Sequence, residues 1–214
     1  MRIYRRSRPR YGTNACEMSR TRRKADPRVL RTRAALGDAL IALMEEREFE
    51  KITVQDVLDR AGVGRSTFYV HYHGKDDLFM SDVDEFWSSV ADGLLRAKER
   101  SHRVVPVREL FAHAAGMTEF VQALHKSGRA HEVMELGRMH MARAIAKRIA
   151  TQRHGLSQAQ LEAFAHAQAG ALIGLFEWWL AHEDSMTPDE ADEMFHRTLW
   201  NALDLRGERP SRPQ

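Results

Sequence analysis

The sequence predicts an all-α fold on the basis of three observations. Apolar residues recur at intervals of three and four, the spacing that gives a helix one apolar face. Capping signals precede four of these stretches, at Asp26, Thr53, Ser157 and Thr187. No stretch of useful length alternates polar and apolar residues, so no β-sheet is predicted.

The composition is typical of a soluble globular protein. Of the 214 residues, 43% are hydrophobic and 29% are charged. The longest apolar stretch, residues 163–180, is interrupted by His166, Gln168 and Glu177, so no membrane span of roughly 18 apolar residues is predicted. The basic N-terminus has no apolar run behind it, so no secretory signal is predicted. The single cysteine, Cys16, excludes an internal disulfide and a Cys-rich zinc site, and it indicates a reducing cytoplasm.

The net charge of +3 conceals a strong asymmetry. Residues 1–33 hold twelve of the 33 basic residues and two of the 30 acidic ones, a net charge of +10, which leaves −7 for the remainder. Residues 1–25 are Arg-rich and lack apolar periodicity, so we expect a disordered basic arm. Such an arm can bind phosphates or the minor groove of DNA, or it can be a solvated tail. Met18 could also be the first translated residue.

The first helix is predicted to begin at Asp26-Pro27 and to end near Glu46. Aspartate is a favourable N-cap, and proline suits the first helical turn because that turn needs no N–H donor there. The chain just after this helix adds two more apolar residues to the same core. The core residues expected in this part of the chain are Val29, Leu36, Leu40, Leu43, Phe49 and Ile52.

A second helix and a tight turn are predicted after Thr53. Thr53 and Asp56 have the spacing of a capping box, in which each side chain hydrogen-bonds the backbone N–H of the other residue. The turn Gly62-Val63-Gly64 breaks the apolar stripe, and glycine permits a left-handed backbone at a helix end. A helix, a tight turn and a further helix are therefore expected in succession.

The helix after the turn is predicted over Arg65 to Tyr72. Phe68 and Tyr72 lie one turn apart and are expected to face the core. The opposite face is polar, aromatic and basic, which is typical of a recognition helix in a DNA major groove. The residues expected on that face are Arg65, Ser66, Tyr69 and, near its edge, Thr67.

Residues 28–80 closely resemble the DNA-binding domain of the TetR family of bacterial transcriptional regulators. The resemblance rests on FEKITV at 49–54, AGVGRSTFY at 61–69 and HYHGKDDL at 71–78, in this order and close to the N-terminus. It covers about a quarter of the chain. Nothing in the C-terminal part resembles one subfamily closely enough to imply a ligand.

Seven residues are predicted to contact DNA. Arg65 is the candidate for a base contact, because its guanidinium can donate to guanine O6 and N7 together. Ser66 and Thr67 can bond a base or a phosphate. The family resemblance implies phosphate contacts for four further residues, Thr53, Tyr69, His71 and Lys75.

Neither a metal site nor a catalytic site is predicted, and no cofactor is expected. His71 and His73 are two residues apart on a helix and so point in different directions. The sequence lacks a nucleophile elbow, an HExxH motif, a phosphate-binding Gly loop and a dinucleotide fingerprint. Glu132, Glu135 and His140 could be assembled into an acid–base site, but nothing in their spacing requires one.

Only helices are predicted after the DNA-binding motif. A helix from Lys75 to about Glu99 is long enough to connect this motif with the rest, and residues 100–106 form a connector. Later helices are expected over residues 107–126, 130–152 (a bent pair or one long helix, with Gly137 as the weak point), 157–183 and 187–203. The predicted organisation is an arm (1–25), a DNA-binding domain (26–78) and an effector-binding and dimerisation domain (79–214).

The helix after Ser157 carries small residues at intervals of four, three and four, which allow another helix to approach closely. With apolar residues of the last helix, this pattern fits a two-fold four-helix interface between subunits, the dimerisation mode that the family resemblance implies. The alternative is that both helices complete the core of one chain. The predicted interface residues are Ala163, Ala167, Gly170, Gly174, Phe195 and Leu199.

A pocket for a small-molecule effector is expected between the middle helices. Methionine and aromatic side chains there suit an apolar or aromatic effector, although each of them is also an ordinary core residue. The candidate pocket residues are His113, Met117, Phe120, Met134, His140, His166 and Trp178.

The expected function is that of a ligand-responsive, homodimeric repressor that binds a palindromic operator. Two recognition helices would enter major grooves about 34–36 Å apart. The effector would bind better to a state in which these helices are wrongly spaced. Two alternatives stay open: an interaction module with the same fold but no specific DNA binding, and an enzyme.

Overall fold

The computed structural model describes residues 26–96, 103–150, 156–182 and 185–204. The predicted basic arm, positions 100–102 of the connector and the chain end lie outside these residues. Within the described part, the chain forms nine α-helices and no strand, so the predicted all-α fold is confirmed. The helices are α1 (Pro27–Glu46), α2 (Val54–Ala61), α3 (Arg65–His71), α4 (Lys75–Arg96), α5 (Val107–Ala115), α6 (Thr118–Lys126), α7 (Ala130–Ala150), α8 (Gln158–Ala181) and α9 (Pro188–Asp204).

Side-chain caps form where the sequence predicted helix starts. The Asp26 carboxylate accepts a hydrogen bond from the Arg28 N–H at 2.9 Å. At α2 the Thr53 N–H donates to the Asp56 carboxylate at 2.8 Å, and the Asp56 N–H donates to the Thr53 hydroxyl at 3.2 Å. Two other predicted starts have the same reciprocal bonds, Ser157 with Gln160 and Thr187 with Glu190.

The single helix predicted over residues 107–126 is wrong, because the chain leaves the helix at Gly116. The Gly116 N–H bonds the His113 carbonyl at 3.1 Å, which tightens the last turn of α5. Met117 then has φ −130° and ψ 34°, outside the helical region, and α6 starts at Thr118. The break produces two short helices, α5 and α6, in place of one long helix.

Two glycines allow α4 to approach its neighbours closely. Gly137 was expected to weaken its helix, but α7 continues through it without a break. A Cβ atom at Gly137 would lie 2.5 Å from Cε2 of Trp87 in α4, and one at Gly37 in α1 would lie 2.3 Å from the Asp82 carboxylate. Such distances are too short for a Cβ atom, so the glycines are required by the packing of α4 between α1 and α7.

The core is continuous along α4. At the start of α4, Leu78 and Phe79 are buried with α1, and the ring centres of Phe79 and Phe49 lie 5.5 Å apart. Further along α4, Trp87 is buried against α7. In the C-terminal half, α7 packs on α8, and Phe111 of α5 contacts both Phe176 and Trp179 of α8.

The last part of the connector is held by a charged cluster. The Arg103 guanidinium donates to the Asp192 carboxylate of α9 at 2.7 Å and to the Glu109 carboxylate of α5 at 2.7 Å. The buried His196 accepts hydrogen bonds at Nε2 from the N–H groups of Val104 (2.9 Å) and of the following residue (3.2 Å). Its proton is therefore assigned to Nδ1, which lies 2.8 Å from the Asp192 carbonyl. We call Arg103, Glu109, Asp192 and His196 the Arg103 cluster.

No helix in the described part of the chain combines the length and apolar character needed to cross a membrane.

Candidate nucleic-acid interface and ligand cavity

The turn between α2 and α3 has the geometry that the glycines predict. Gly62 has φ +65° and ψ 33°, the left-handed conformation in which other residues are strained. The Val63 N–H then bonds the Leu58 carbonyl at 3.1 Å and closes the end of α2. Residues 62–64 therefore turn the chain sharply enough for α3 to cross α2.

Two aromatic residues fix α3 on the core. Phe68 and Tyr72 are both buried, with ring centres 5.6 Å apart. The Arg33 Nε–H donates to the Tyr72 hydroxyl at 3.0 Å. Burial raises the pKa of Tyr72, and the hydrogen bond to Tyr72 raises the pKa of Arg33. The helix ends at His71, one residue earlier than predicted, and Tyr72 is its C-cap.

The opposite face of α3 is open to solvent. The predicted DNA-facing residues Arg65, Ser66, Thr67 and Tyr69 are all exposed. Val70 also lies on this face, although it was not among the predicted residues. Its side chain is 76% exposed, the largest value among the exposed large apolar residues in the described part. The signal was present, since Val70 lies four residues after Ser66 and so on the same side of the helix.

Arg65 is held in place by a chain of polar side chains on α2. Its Nη2–H donates to the Gln55 side-chain oxygen at 2.9 Å, and the Gln55 amide donates to Asp59 at 2.7 Å. All three residues are exposed. The contact orients one edge of the guanidinium along α2.

Thr53 and Lys75 both have partners inside the chain. The Thr53 hydroxyl takes part in the α2 capping box, and its hydrogen bond lowers the pKa of Asp56. The Lys75 ammonium donates to the carbonyls of Phe49 (2.6 Å) and Glu50 (3.3 Å), at the short 3-10 turn Phe49–Lys51. Lys75 thus satisfies backbone carbonyls of that turn, a contact that its sequence position did not indicate.

A cavity of about 400 Å³ lies between α1, α4, α5, α6, α7 and α8. Its walls are mainly apolar, with aromatic rings such as Phe79, Phe86 and Phe120. Polar groups are concentrated on the side formed by α1 and α4. They are Arg33, Asp38, Asp82 and Glu85, and Arg33 forms an ion pair with Glu85 at 3.3 Å. His113 of α5 also lines the cavity and stacks on Phe86, with ring centres 5.3 Å apart.

The cavity includes four of the seven residues predicted for a pocket, His113, Met117, Phe120 and Met134. The other three lie elsewhere. His140 Nε2 is 2.8 Å from the Asp84 carboxylate, in a contact between α7 and α4. His166 is exposed on α8, and Trp178 is 43% exposed and stacked on His182.

The residues predicted for a subunit interface divide into two groups. Ala163, Ala167 and Gly174 are exposed on α8 and Gly170 is half-buried. A Cβ atom at either glycine would meet no atom of the chain within 4 Å. Phe195 and Leu199 of α9 are instead buried within the single chain. No group of three or more potential metal ligands occurs among the described residues.

Comparison with known proteins bears on the helix-turn-helix. Residues 36–81 match the family model described as bacterial regulatory proteins, tetR family. The chain is 33% identical over 73 residues to the uncharacterized HTH-type transcriptional regulator YxbF of Bacillus subtilis, which covers 34% of this chain and 19% of that protein. It is 31% identical over 81 residues to the regulator YwcC of the same organism, covering 36% of each chain. Residues 36–81 therefore carry the domain of the tetR family of bacterial regulatory proteins.

Solved structures extend the likeness beyond the motif to the TetR fold. The dihydroxyacetone kinase operon activator DhaS has a TM-score of 0.59 at 12% identity, covering 82% of this chain and 95% of its own. A TetR regulator from Streptococcus agalactiae has a TM-score of 0.56 at 20% identity, covering 80% and 95%. These likenesses show the fold alone. The curated relatives are matched over only 19% and 36% of their lengths. The match at residues 36–81 indicates a domain of bacterial regulatory proteins.

Proposed function

We propose that this chain is a ligand-responsive homodimeric repressor of the TetR family that binds a palindromic operator through α3 and is released by a small-molecule effector. The observation that carries the DNA-binding part is the outer face of α3. Phe68 and Tyr72 anchor the helix, while Arg65, Ser66 and Tyr69 are exposed. A short helix with a fixed inner face and a free polar outer face can enter a major groove.

The proposed division of roles on this face follows from side-chain chemistry. Arg65 is assigned to a guanine, and Ser66 and Thr67 to a base or phosphate. Thr53, Tyr69, His71 and Lys75 are assigned to phosphates, and for Lys75 such a contact requires the ammonium to share or leave its carbonyl partners. Val70 is added as a contact for a thymine methyl group, because it is the exposed apolar side chain beside Tyr69.

Dimerisation through α8 is supported by open space along one side of that helix. Glycine at positions 170 and 174 is not required by any contact within the chain. The exposed Ala163 and Ala167 continue the same small-residue surface toward the helix start. Trp178 lies one turn after Gly174 and is assigned to this surface in place of the pocket. The buried Phe195 and Leu199 would support the interface from behind.

The cavity is proposed as the effector site. A volume of about 400 Å³ lies within the range of known small-molecule sites, and its apolar and aromatic walls favour an apolar or aromatic effector. Arg33 in its wall also holds Tyr72 of the recognition helix, so the site and the DNA-binding surface share a residue.

Repression is the proposed sign of regulation. One neighbour of the same fold is named an activator, so a reporter assay with the operator is needed to test the sign. The cytoplasm is the proposed location.

The decisive experiment is a binding selection on random duplex DNA with the purified full-length chain. The expected product is an enriched inverted repeat. Arg65→Ala is expected to cost about 1–3 kcal/mol of operator binding and to relax preference at one base pair in each half-site. Arg138→Ala on α7 is the matched control and leaves binding unchanged, because within the described part of the chain Arg138 pairs with Glu135 of its own helix. An unchanged base preference in Arg65→Ala would remove Arg65 from its assigned role. Salt-sensitive binding without enrichment would favour an interaction module.

Val70 can be tested on the same operator by replacing each thymine in turn with uracil, which removes one methyl group. The wild-type chain is expected to lose about 0.8 kcal/mol at one position in each half-site, the worth of one buried methyl. Val70→Ala is expected to bind more weakly and to be insensitive to uracil at that position. Met139→Ala, another exposed apolar residue, retains the wild-type response. Equal sensitivity of Val70→Ala and wild type would exclude the methyl contact.

A further inference from the structure

Arg129 contacts the helix-turn-helix from the opposite half of the chain. It lies in the turn between α6 and α7, and its guanidinium carbon is 4.7 Å from the ring centre of Phe49 and 5.0 Å from that of Phe79. Its guanidinium also donates to Asp76 at the start of α4 and, at 3.2 Å, to Glu132 of α7. We call Arg129, Phe49, Asp76 and Phe79 the Arg129 cluster.

The position of Arg129 is unfavourable by local rules. It directly precedes α7, where arginine is not a favoured N-cap and a positive charge opposes the helix dipole. Glu132 in the first turn offsets part of that repulsion. The side chain is nevertheless only 16% exposed, and its Nε is buried without a hydrogen-bond partner among the described residues. Only the contacts with the rings and with Asp76 account for an arginine held in this way.

The turn that carries Arg129 is shaped for this contact. Gly128 has φ +73°, and its N–H bonds the His125 carbonyl at 3.1 Å. The Ser127 hydroxyl donates to the Leu124 carbonyl at 2.8 Å. These bonds close the end of α6, so the turn moves with α6 and α7 and not as a free loop.

The Arg129 cluster also borders the ligand cavity. Phe79 contacts Arg129 and lines the cavity. Leu124 at the end of α6 and Val133 at the start of α7, on either side of the Arg129 turn, line it as well. A molecule that pushes the cavity wall outward on this side would move Phe79, or the α6–α7 turn, or both, because these groups form that part of the wall.

We infer that Arg129 is a positioning residue, which holds the helix-turn-helix in one orientation relative to the cavity and transmits occupancy of the cavity to it. The inference rests on the proposed function, since the orientation matters only for a chain that reads two half-sites. In the empty state, Arg129 fixes Phe49 and Asp76 against the α6–α7 turn. Filling of the cavity separates Arg129 from one of these partners, and the helix-turn-helix then takes a different or broader range of positions.

The test measures a distance inside one chain and needs neither operator nor effector. Spin labels are placed on Asp59→Cys in α2 and Lys147→Cys in α7, both exposed, in a Cys16→Ser background. Labelled chains are diluted with unlabelled chains, and double electron–electron resonance gives the distance distribution. Arg129→Gln is expected to shift or broaden it. Arg138→Gln, which removes an arginine of α7 that pairs within its own helix, is the matched control and leaves it unchanged.

The cavity is filled covalently in a second arm, by Val121→Trp on the half-buried wall of α6. Val121→Phe replaces it if the tryptophan variant loses its helical circular dichroism. With Arg129 present, the larger side chain is expected to shift the distance in the direction that Arg129→Gln does. With Arg129→Gln, it adds nothing further, because the contact it would break is already absent.

Two results would overturn the inference. The first is a distance distribution in Arg129→Gln equal to that of the Arg138→Gln control, which would make Arg129 an ordinary surface-covering residue. The second is independent, additive shifts from Arg129→Gln and Val121→Trp, which would mean that the cavity acts through another contact. Failure of the proposed function is seen separately, as a DNA selection that enriches no sequence.

Discussion

The Arg103 and Arg129 clusters lie at opposite ends of the α4 region, and their arginines are neutralised in different ways. Arg103 lies between two carboxylates of α5 and α9, and its partner Asp192 is only 16% exposed. Arg129 lies against two phenylalanine rings, and its partner Asp76 is 62% exposed. Asp192 in the Arg103 cluster is therefore largely shielded from water, whereas Asp76 in the Arg129 cluster is open to it.

The difference indicates different tasks. A shielded ion pair with several hydrogen bonds is costly to open, because each charge would be left poorly solvated. An arginine on rings with an exposed carboxylate loses little on separation, because water replaces the carboxylate. The Arg103 cluster therefore fixes the connector to α5 and α9, and the Arg129 cluster is a contact that can open and close.

The largest effect is expected from removing Arg103. Arg103→Met removes the guanidinium that bridges Asp192 and Glu109 and leaves the shielded Asp192 carboxylate without its arginine partner, so the free energy of unfolding should fall by about 3 kcal/mol. Arg108→Met is the control, because Arg108 is half exposed and its ion pairs with Glu109 and Asp189 are 3.2 and 3.5 Å long; it should cost about 0.5 kcal/mol. Urea unfolding followed by circular dichroism measures both. Equal losses would show that the Arg103 cluster is an ordinary surface network.

The packing of α4 on α7 is tested by Gly137→Ala. The added methyl group would overlap the Trp87 ring, and α4 and α7 would have to separate, at a cost of about 2 kcal/mol. Gly93→Ala in α4 has open space around it and should stabilise the helix by about 1 kcal/mol. Thermal unfolding of the two variants should move in opposite directions. A neutral Gly137→Ala would mean that α4 and α7 are not tightly packed at Trp87.

Local chemistry made much of this architecture predictable. The capping residues at Asp26, Thr53, Ser157 and Thr187 act within three residues of themselves, and the helices they begin were predicted correctly. The family resemblance of residues 28–80 predicted the helix-turn-helix. It could do so because the glycine turn and the aromatic residues that anchor α3 lie close together in the sequence. The prediction for α3 did not include the exposed Val70, although the helical period assigns this residue to the outer face.

Contacts between distant residues could not be predicted in this way. Gly137 was interpreted as a weak point because its partner, Trp87, is 50 positions away in the chain. No local pattern indicated the position of the Arg129 side chain, since that position depends on contacts with Phe49 and Phe79. Four of the predicted pocket residues line the cavity, but helical periodicity could not show whether His140, His166 and Trp178 face the cavity or another surface.

The pH dependence of stability sharpens the distinction between the clusters. Burial opposes ionisation of Asp192, but hydrogen bonds from His196 and Arg103 outweigh it and lower its pKa to about 2 from the ordinary value of 3.8. A lowered pKa stabilises the fold above pH 3.8 and loses that effect as the pH falls toward 2. Asp192→Asn should therefore be less stable than wild type by about 1 kcal/mol at pH 6, with a gap that narrows below about pH 4. Urea titrations between pH 6 and pH 3 measure it. A gap independent of pH would assign the loss to packing and not to charge.

The smallest effect on global stability is expected from Arg129→Gln, even though the Arg129 cluster spans the two halves of the chain. Its ion pair with the exposed Asp76 and its ring contacts together are worth about 0.5 kcal/mol. Hydrogen exchange should then reveal faster opening of amides in α2 and α3, with those of α7 and α8 unchanged, because only the first two depend on Phe49 and Asp76 for their position. A loss as large as that of Arg103→Met, spread over every helix, would mean that both clusters serve stability alone. A local gain in exchange with little global loss is the behaviour required of a contact that must open for the helix-turn-helix to move.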